Sequence, residues 1–390
     1  MDPRLNPYAP GAGARPPELA GRDLLLERAA IALDRVRAGR AARGLMLYGL
    51  RGVGKTVLLN EIRLQAESRG IVSVSMEAPE QRSLPALLVP ALRQALLRLS
   101  RLESFRTRAL GILAAFSKAL KVKYADVELN LDVAPVLGVA DSGDLERDLT
   151  ELLLEIGAAA KAGGTAFAMF IDELQYVREE QLGALIAALH QTSQTQTPVA
   201  IMGAGLPQLL GLAGRAKSYA ERLFEFVEID KLPPEDARLA LCLPAEKAGV
   251  RFEDHAVAEV LAQTEGYPYF LQEWGKHCWD VARASPVTSA DAETATERAI
   301  ADLDASFFRV RFDRLTPQQK AYLRAMAELG GGPYRSGDVA DRLGRDVTAV
   351  APTRAALIAK GMVYSPGHGD IAFTVPLFDG FMRRSMTLSS

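Results

Sequence analysis

The sequence predicts an α/β fold built on a parallel sheet, followed by an all-helical unit and a small C-terminal domain of three helices and a hairpin. Three observations carry that prediction. Short apolar, β-rich runs alternate with helical patterns from residue 23 to residue 231, as in a sheet covered on both faces. One run leads directly into the glycine-rich stretch Gly49-Leu50-Arg51-Gly52-Val53-Gly54-Lys55-Thr56. Another ends in the adjacent carboxylates Asp172-Glu173, at the edge of the sheet where ligands bind in such folds.

The first twenty residues contain Pro3, Pro7, Pro10, Gly11, Gly13, Pro16 and Pro17. Proline removes a backbone donor and fixes φ, so 1–20 reads as an extended lead-in. Over 23–40, Leu24, Leu25, Ala29, Ile31, Ala32 and Val36 recur at helical spacing, and Arg35, Arg37, Arg40 and Arg43 sit at or past the end that favours cations. The first strand is Leu45-Met46-Leu47-Tyr48, and Val57-Leu58-Leu59-Asn60-Glu61-Ile62 begins the next helix. Further strands are expected at 71–76, 167–171, 199–202 and 226–229.

The stretch between the first strand and its helix is a phosphate cradle. Its glycines let the backbone turn with N–H groups pointing inward, Lys55 reaches the terminal phosphates, and the Thr56 hydroxyl takes a place on Mg²⁺. The glycine and lysine spacing fits the Walker A pattern throughout, with Leu50, Arg51, Val53 and Val57 completing the cradle's backbone. Met169-Phe170-Ile171-Asp172-Glu173 fits Walker B: Asp172 holds the Mg²⁺ through its water shell and Glu173 polarises the attacking water. The two motifs together predict a P-loop NTPase sheet.

Composition bounds the rest. The chain has 390 residues, is 48% hydrophobic and 24% charged, and carries a formal net charge of -2. That is enough for two or three domains with ample cores, and it excludes overall attraction to nucleic acid; any DNA contact must be local. Cys242 and Cys278 are the only cysteines, without metal-ligand spacing, and the neighbouring His277 points elsewhere on a helix, so neither a disulfide framework nor a zinc site is expected. No long apolar run or signal-peptide core occurs, which predicts a cytoplasmic protein with no membrane partner.

Between the second strand and the helix starting near Asp144 lies an insertion, 81–143, whose first part is basic. Arg82, Arg93, Arg98, Arg101, Arg106, Arg108, Lys118, Lys121 and Lys123 stand against Glu103 alone over 81–123. On a single helix, Arg93, Arg98, Arg101 and Arg108 share one arc and Leu88, Val89, Leu92, Leu96, Leu99 and Leu110 the opposite one. A solvated arginine face and a face that meets DNA phosphates are the two readings. Residues 121–133 alternate apolar and polar and predict a hairpin.

From 232 the pattern is helical, with Pro233-Pro234 at the start, breaks at Gly249 and Gly266, and a further helix over 289–308; this reads as a lid over 232–309. Over 310–390, Thr316 caps a helix with Pro317 at its first position, a second helix spans 336–343, and a third follows with Pro352 in its first turn. Two β-like runs, 362–364 and 371–375, flank a Ser-Pro-Gly-His-Gly-Asp turn. Three helices and a hairpin make a winged helix-turn-helix. Over 311–390, eleven Arg and Lys stand against seven Asp and Glu, a modest excess. As a DNA reader, the third helix would offer Thr353 and Arg354 to the major groove.

Both Walker motifs, the lid and the terminal winged helix, in this order, make the chain resemble the AAA+ and STAND-type P-loop ATPases, closest to the archaeal-ATPase and origin-recognition group. The resemblance runs over 16–384 and implies an ATPase domain over 21–231 with ATP or ADP and Mg²⁺ as cofactors. It also implies roles for three further motifs. Gly21-Arg22, in Pro17-Glu18-Leu19-Ala20-Gly21-Arg22-Asp23, is similar to the family's Gly-Arg motif against the adenine. Gly266-Tyr267-Pro268 resembles the lid motif whose proline touches the nucleotide. Arg222 stands where such proteins carry an arginine finger into a neighbouring subunit's γ-phosphate, implying an ATP-dependent homo-oligomer; an ordinary surface arginine is the alternative. Two departures imply slow hydrolysis: Gly203-Ala204-Gly205 lacks the polar sensor-1 residue, and no arginine stands beside Gly266 as sensor 2. The expectation is therefore an ATP-held switch controlling DNA binding or self-assembly. The alternative is a signalling or scaffold protein whose winged helix docks protein.

Overall fold

A computed structural model describes residues 1–390 except 12, 79, 81, 100–102, 122, 125, 126, 128–132 and 387–390, and the side chains of 103–106. The chain gathers into two compact units: one of 24–48 and 55–228, the other of 1–23, 49–54 and 229–390.

The first unit is the sheet unit. Its elements run α1 (Asp23–Arg37), β1 (Gly44–Tyr48), α2 (Lys55–Ser68), β2 (Val72–Glu77), α3 (Leu84–Leu99), α4 (Glu103–Lys121), α5 (Leu145–Ala162), β3 (Phe167–Asp172), α6 (Glu179–Gln194), β4 (Val199–Gly205), α7 (Leu209–Ala216), α8 (Ala220–Leu223) and β5 (Phe224–Glu228). The five strands are all parallel in the order β2-β3-β4-β1-β5, the sheet of a P-loop AAA+ fold. Every residue of β3 and β4 is buried; strands covered on both faces need no polar alternation, which is why Phe167-Ala168-Met169-Phe170-Ile171 reads as an unbroken apolar run. Fully buried Leu, Ile and Phe side chains each contribute about 1.5–3 kcal/mol, so this central layer fixes where the strand ends lie. Strands found at 44–48, 72–77, 167–172, 199–205 and 224–228 match the five expected runs, with ends shifted by up to three residues.

The insertion differs from expectation. The described residues of the insertion form two elements, α3 (Leu84–Leu99) and α4 (Glu103–Lys121), with 100–102 outside the described residues. Leu88, Val89, Leu92, Leu96 and Leu99 of α3 and Ile112, Leu113, Phe116 and Leu120 of α4 enter the same core as α5 and the sheet. Each of the two helices therefore buries an apolar face of its own. The hairpin expected over 121–133 falls on residues of which most lie outside those described. Asp144 caps α5, its side chain accepting from the Arg147 N–H.

The second unit holds α9 (Pro234–Lys247), α10 (Asp254–Thr264), α11 (Pro268–Val281), α12 (Ser289–Ala305) and α13 (Phe307–Asp313). There follow α14 (Pro317–Glu328), β6 (Tyr334–Arg335), α15 (Ser336–Arg342), α16 (Val347–Ala359), β7 (Val363–Tyr364), β8 (Asp370–Phe373) and α17 (Phe378–Ser385). The lead-in packs against α9 and α11 rather than trailing free: Tyr8 is buried with its hydroxyl on the Leu241 carbonyl, and the Asn6 amide donates to the Lys276 carbonyl and to Asp280. Prolines exclude regular pairing but leave side chains to dock, and Pro3–Leu5 even forms one 3₁₀ turn. In the C-terminal part, Thr316 and Gln319 form a capping box with Pro317 at the first helical position. β6, β8 and β7 make a three-stranded antiparallel sheet; β6, two residues long, has no readable sequence signal. Pro352 lies inside α16, not in its first turn. The helix tolerates it because Val350 and Leu357 bury the helix face on either side.

Candidate functional site

At the carboxyl ends of the strands in the sheet unit, two elements meet. The N-terminus of α2 supplies Lys55, which is buried, and Thr56. β3 ends at Asp172, also buried. The Thr56 hydroxyl donates to Asp172 Oδ2 at 2.6 Å, and the Glu173 N–H donates to Oδ1 at 2.8 Å. Residues separated by more than a hundred positions thus meet because both follow strands of one parallel sheet. The Glu173 backbone is left-handed, at φ 54° and ψ 37°, a conformation that turns the chain sharply off the strand end.

Burial pushes the Asp172 carboxyl above its ordinary pKa, against the lowering pull of the Thr56 and Glu173 hydrogen bonds and the Lys55 charge. Glu77, at the end of β2 and in register with Asp172, is likewise raised, first by desolvation and then by the charges of Asp172 and Glu173. Three carboxylates at one sheet edge attract a cation. The nearness of the Thr56 hydroxyl and the Asp172 carboxylate, two hard oxygen donors meeting at one point, fits Mg²⁺. Among the described residues no group of three or more His, Cys, Asp and Glu that could hold a metal ion occurs. Glu77 escaped the sequence reading; its signal is a carboxylate ending the strand that pairs with β3.

The loop 49–54 belongs with the second unit. Gly52 and Gly54 have φ of +83° and +91°, the left-handed region where a side chain is strained. A Cβ on Gly49 would stand 2.0 Å from the Ile229 carbonyl oxygen, so only glycine admits that close approach. Two hydrogen bonds hold the loop within its unit: the Tyr269 N–H donates to the Gly52 carbonyl at 3.1 Å, and the Arg51 N–H donates to the Thr374 carbonyl at 2.8 Å. The first comes from the residue after Pro268, which opens α11 at its first position. The second comes from the segment that follows β8. Leu50 is half-buried and Val53 buried, while Val57, in the sheet unit, is half-buried. Gly21 and Arg22 lie at the start of α9: a Cβ on Gly21 would meet Asp236 Oδ2 at 2.3 Å, and Arg22 Nη2 donates to the Asp230 carbonyl at 2.6 Å.

The remaining sequence-stated residues are dispersed. Arg222, in α8, is exposed and lies 6.0 Å over the Tyr219 ring. Arg93 is exposed on α3, Arg98 reaches back to the Ser73 carbonyl at 3.3 Å, Arg108 pairs with Glu155 at 3.3 Å, and Arg101 lies outside the described residues. The single cationic arc is therefore divided between two helices. Thr353 and half-buried Arg354 stand in the third helix of the C-terminal part. Thr353 is buried, and the Arg354 guanidinium donates to Ser365 Oγ and the Asp370 carbonyl, both at 3.0 Å. The phase of α16 turns both residues toward their own domain.

A family model described as AAA ATPase domain matches residues 18–202, and one described as a domain of unknown function, DUF8462, matches 305–382. No curated protein matches the sequence. A solved Walker-type ATPase of Pyrococcus abyssi is similar in fold over 97% of this chain and 99% of its own, with TM-score 0.60 and 16% identity. The Orc1 protein of Aeropyrum pernix in complex with DNA covers 95% of this chain and 94% of its own (TM-score 0.48, 16% identity). The RuvB Holliday-junction branch-migration motor of Thermotoga maritima covers 93% and 96% (TM-score 0.47, 15% identity). The sheet unit has a P-loop AAA+ fold, and among the described residues no helix is long and apolar enough to cross a membrane.

Proposed function

We propose that this chain is an ATP-binding, slowly hydrolysing AAA+ switch of the cytoplasm whose nucleotide state controls DNA binding or self-assembly. The observation that carries the reading is the Thr56–Asp172 hydrogen bond at 2.6 Å beside buried Lys55. In this reading the N–H groups of 49–57 cradle the phosphates and the Lys55 ammonium donates to their terminal oxygens. Gly21, Arg22 and Pro268 flank the nucleotide. Thr56 and Asp172 hold Mg²⁺, which when bound neutralises charge developing on the β- and γ-oxygens. Glu173 accepts a proton from water as the water oxygen bonds to the γ-phosphorus and the bond to the ADP oxygen breaks.

A switch needs an element that responds to the nucleotide. The Arg51–Thr374 and Gly52–Tyr269 hydrogen bonds support that role for the lid and for the C-terminal part, read as a winged helix over 310–390, because both join these segments to the loop that cradles phosphate. Arg222 is the proposed contact to a neighbouring subunit in self-assembly, and Arg93, Arg98, Arg101 and Arg108 are the proposed DNA-backbone contacts.

One observation favours a second reading, in which the winged helix docks protein. The exposed positions of α16 are Val347, Thr348, Ala349, Ala351, Pro352, Ala355 and Ala359. They offer methyl groups and one hydroxyl where base readout needs amides or guanidinium groups. Solution mass, measured with and without ATP and a generic duplex, separates the two. A shift with ATP alone that Arg222→Ala abolishes supports self-assembly. A duplex-dependent shift that weakens in salt and in the Arg93→Ala/Arg108→Ala protein supports DNA contact. No shift under any condition contradicts the switch and leaves protein docking.

A further inference from the structure

The left-handed turn after β3 carries Gln175 in the short 3₁₀ segment Leu174–Tyr176. Its side chain is used at both ends. The amide nitrogen donates to Glu173 Oε2, and the amide oxygen accepts the Leu206 N–H at 2.9 Å, just past the end of β4. The β4 terminus has no space for a polar side chain of its own. A Cβ on Gly203 would stand 2.2 Å from Leu174 Cδ1, 2.9 Å from Met46 Sδ and 3.2 Å from the Ile171 carbonyl oxygen. On Gly205 it would stand 2.8 Å from the Gln175 amide oxygen itself. The glycines that leave β4 without a polar side chain are the ones that let Gln175 lie across the strand end.

We infer that Gln175 is a positioning residue that fixes the Glu173 carboxylate relative to the end of β4, supplying from the β3 turn the polar group that β4 lacks. The inference rests on the reading of Glu173 as the acceptor of the water's proton. A carboxylate on a flexible side chain turns about its last bond, and a donor held on one of its oxygens fixes the plane of the group. Anchoring the opposite end of the amide to backbone makes the hold rigid, since Gln175 cannot swing without giving up the Leu206 N–H. Such positioning acts on the rate and not on nucleotide affinity, because Gln175 touches neither the cradle nor the oxygens of Thr56 and Asp172.

The test is single-turnover ATP hydrolysis with Mg²⁺ by the full chain, with nucleotide affinity measured by calorimetry, in four proteins: wild type, Gln175→Met, Glu173→Gln and the double variant. Gln175→Met is expected to slow hydrolysis about 10- to 100-fold while nucleotide affinity stays within about twofold. In the Glu173→Gln background the same change is expected to add no more than about a further twofold loss, because the residue acts through Glu173. Hydrolysis by Gln175→Met at the wild-type rate overturns the inference, and so does an undiminished loss in the double variant, which would mean that Gln175 merely braces β4. Should Gln175→Met fail to fold, Gln175→Glu keeps the acceptor for Leu206 but not the donor to Glu173; it is expected to lose rate, and a wild-type rate would overturn the inference. If Glu173→Gln alone leaves hydrolysis unchanged, the role of Glu173 itself is refuted, a result distinct from failure of the Gln175 contact.

Discussion

Asp172 is held above its ordinary pKa chiefly by burial, so its charge is a burden on the folded apo-protein. For an acid whose folded pKa is raised, the native state binds more protons than the unfolded one between the two pKa values, and stability falls as pH rises through that window. Asp172→Asn is therefore expected to raise the melting temperature of the apo-protein at pH 7 and flatten its dependence on acid pH, while nucleotide binding ceases to respond to Mg²⁺; thermal melts across pH check this. The cysteines give a quieter forecast: both are buried, and burial pushes the Cys278 thiol up to about 12. Neither should react with a thiol reagent at neutral pH until the protein unfolds. Lys55, Thr56, Asp172 and Glu173 were legible because their chemistry is written in local spacing. Glu77 and Gln175 were not: one depends on β2–β3 register, the other on a turn and on glycines thirty residues away. For Arg354 the residue type was legible, whereas its hydrogen bonds to Ser365 and the Asp370 carbonyl depend on helix phase.

The elements were legible where period and caps agree. Thr316→Ala removes the capping oxygen of α14 and should destabilise the chain by about 1 kcal/mol, read by chemical denaturation. β4 makes a stronger case: Gly203→Ala forces a methyl against Leu174, Met46 and a backbone oxygen, and overpacking of this kind costs about 1–3 kcal/mol. It should also slow hydrolysis by displacing the turn that carries Gln175. The strands and most helices followed from apolar runs, whereas the packing of α3 and α4 as two elements did not. Periodicity alone continues a helix for as long as the residues allow; only the tertiary core shows that α3 and α4 bury separate faces. Pro352 likewise looked like a boundary, and packing on both sides of it carries the helix through.

At the scale of the second unit, aromatic rings join α11 and α13 to the C-terminal part. Tyr269 stacks on Phe307 at 4.7 Å, Phe307 meets Phe308 at 5.3 Å, and Phe308 reaches Phe378 at 5.7 Å and Phe381 at 5.4 Å. Since the Tyr269 N–H also holds the Gly52 carbonyl, a change at the loop has packed side chains to move. Phe308→Ala is expected to destabilise this unit by about 3–5 kcal/mol and to make 229–390 protease-sensitive with or without ATP. All of this depends on the loop meeting a nucleotide, which calorimetric titration of wild type and Lys55→Ala with ATP and Mg²⁺ tests most directly. Wild type is expected to bind, and Lys55→Ala to bind about 10- to 100-fold more weakly, the loss of one charge-assisted contact. Equal affinity in the two proteins, or no binding by either, would contradict the account.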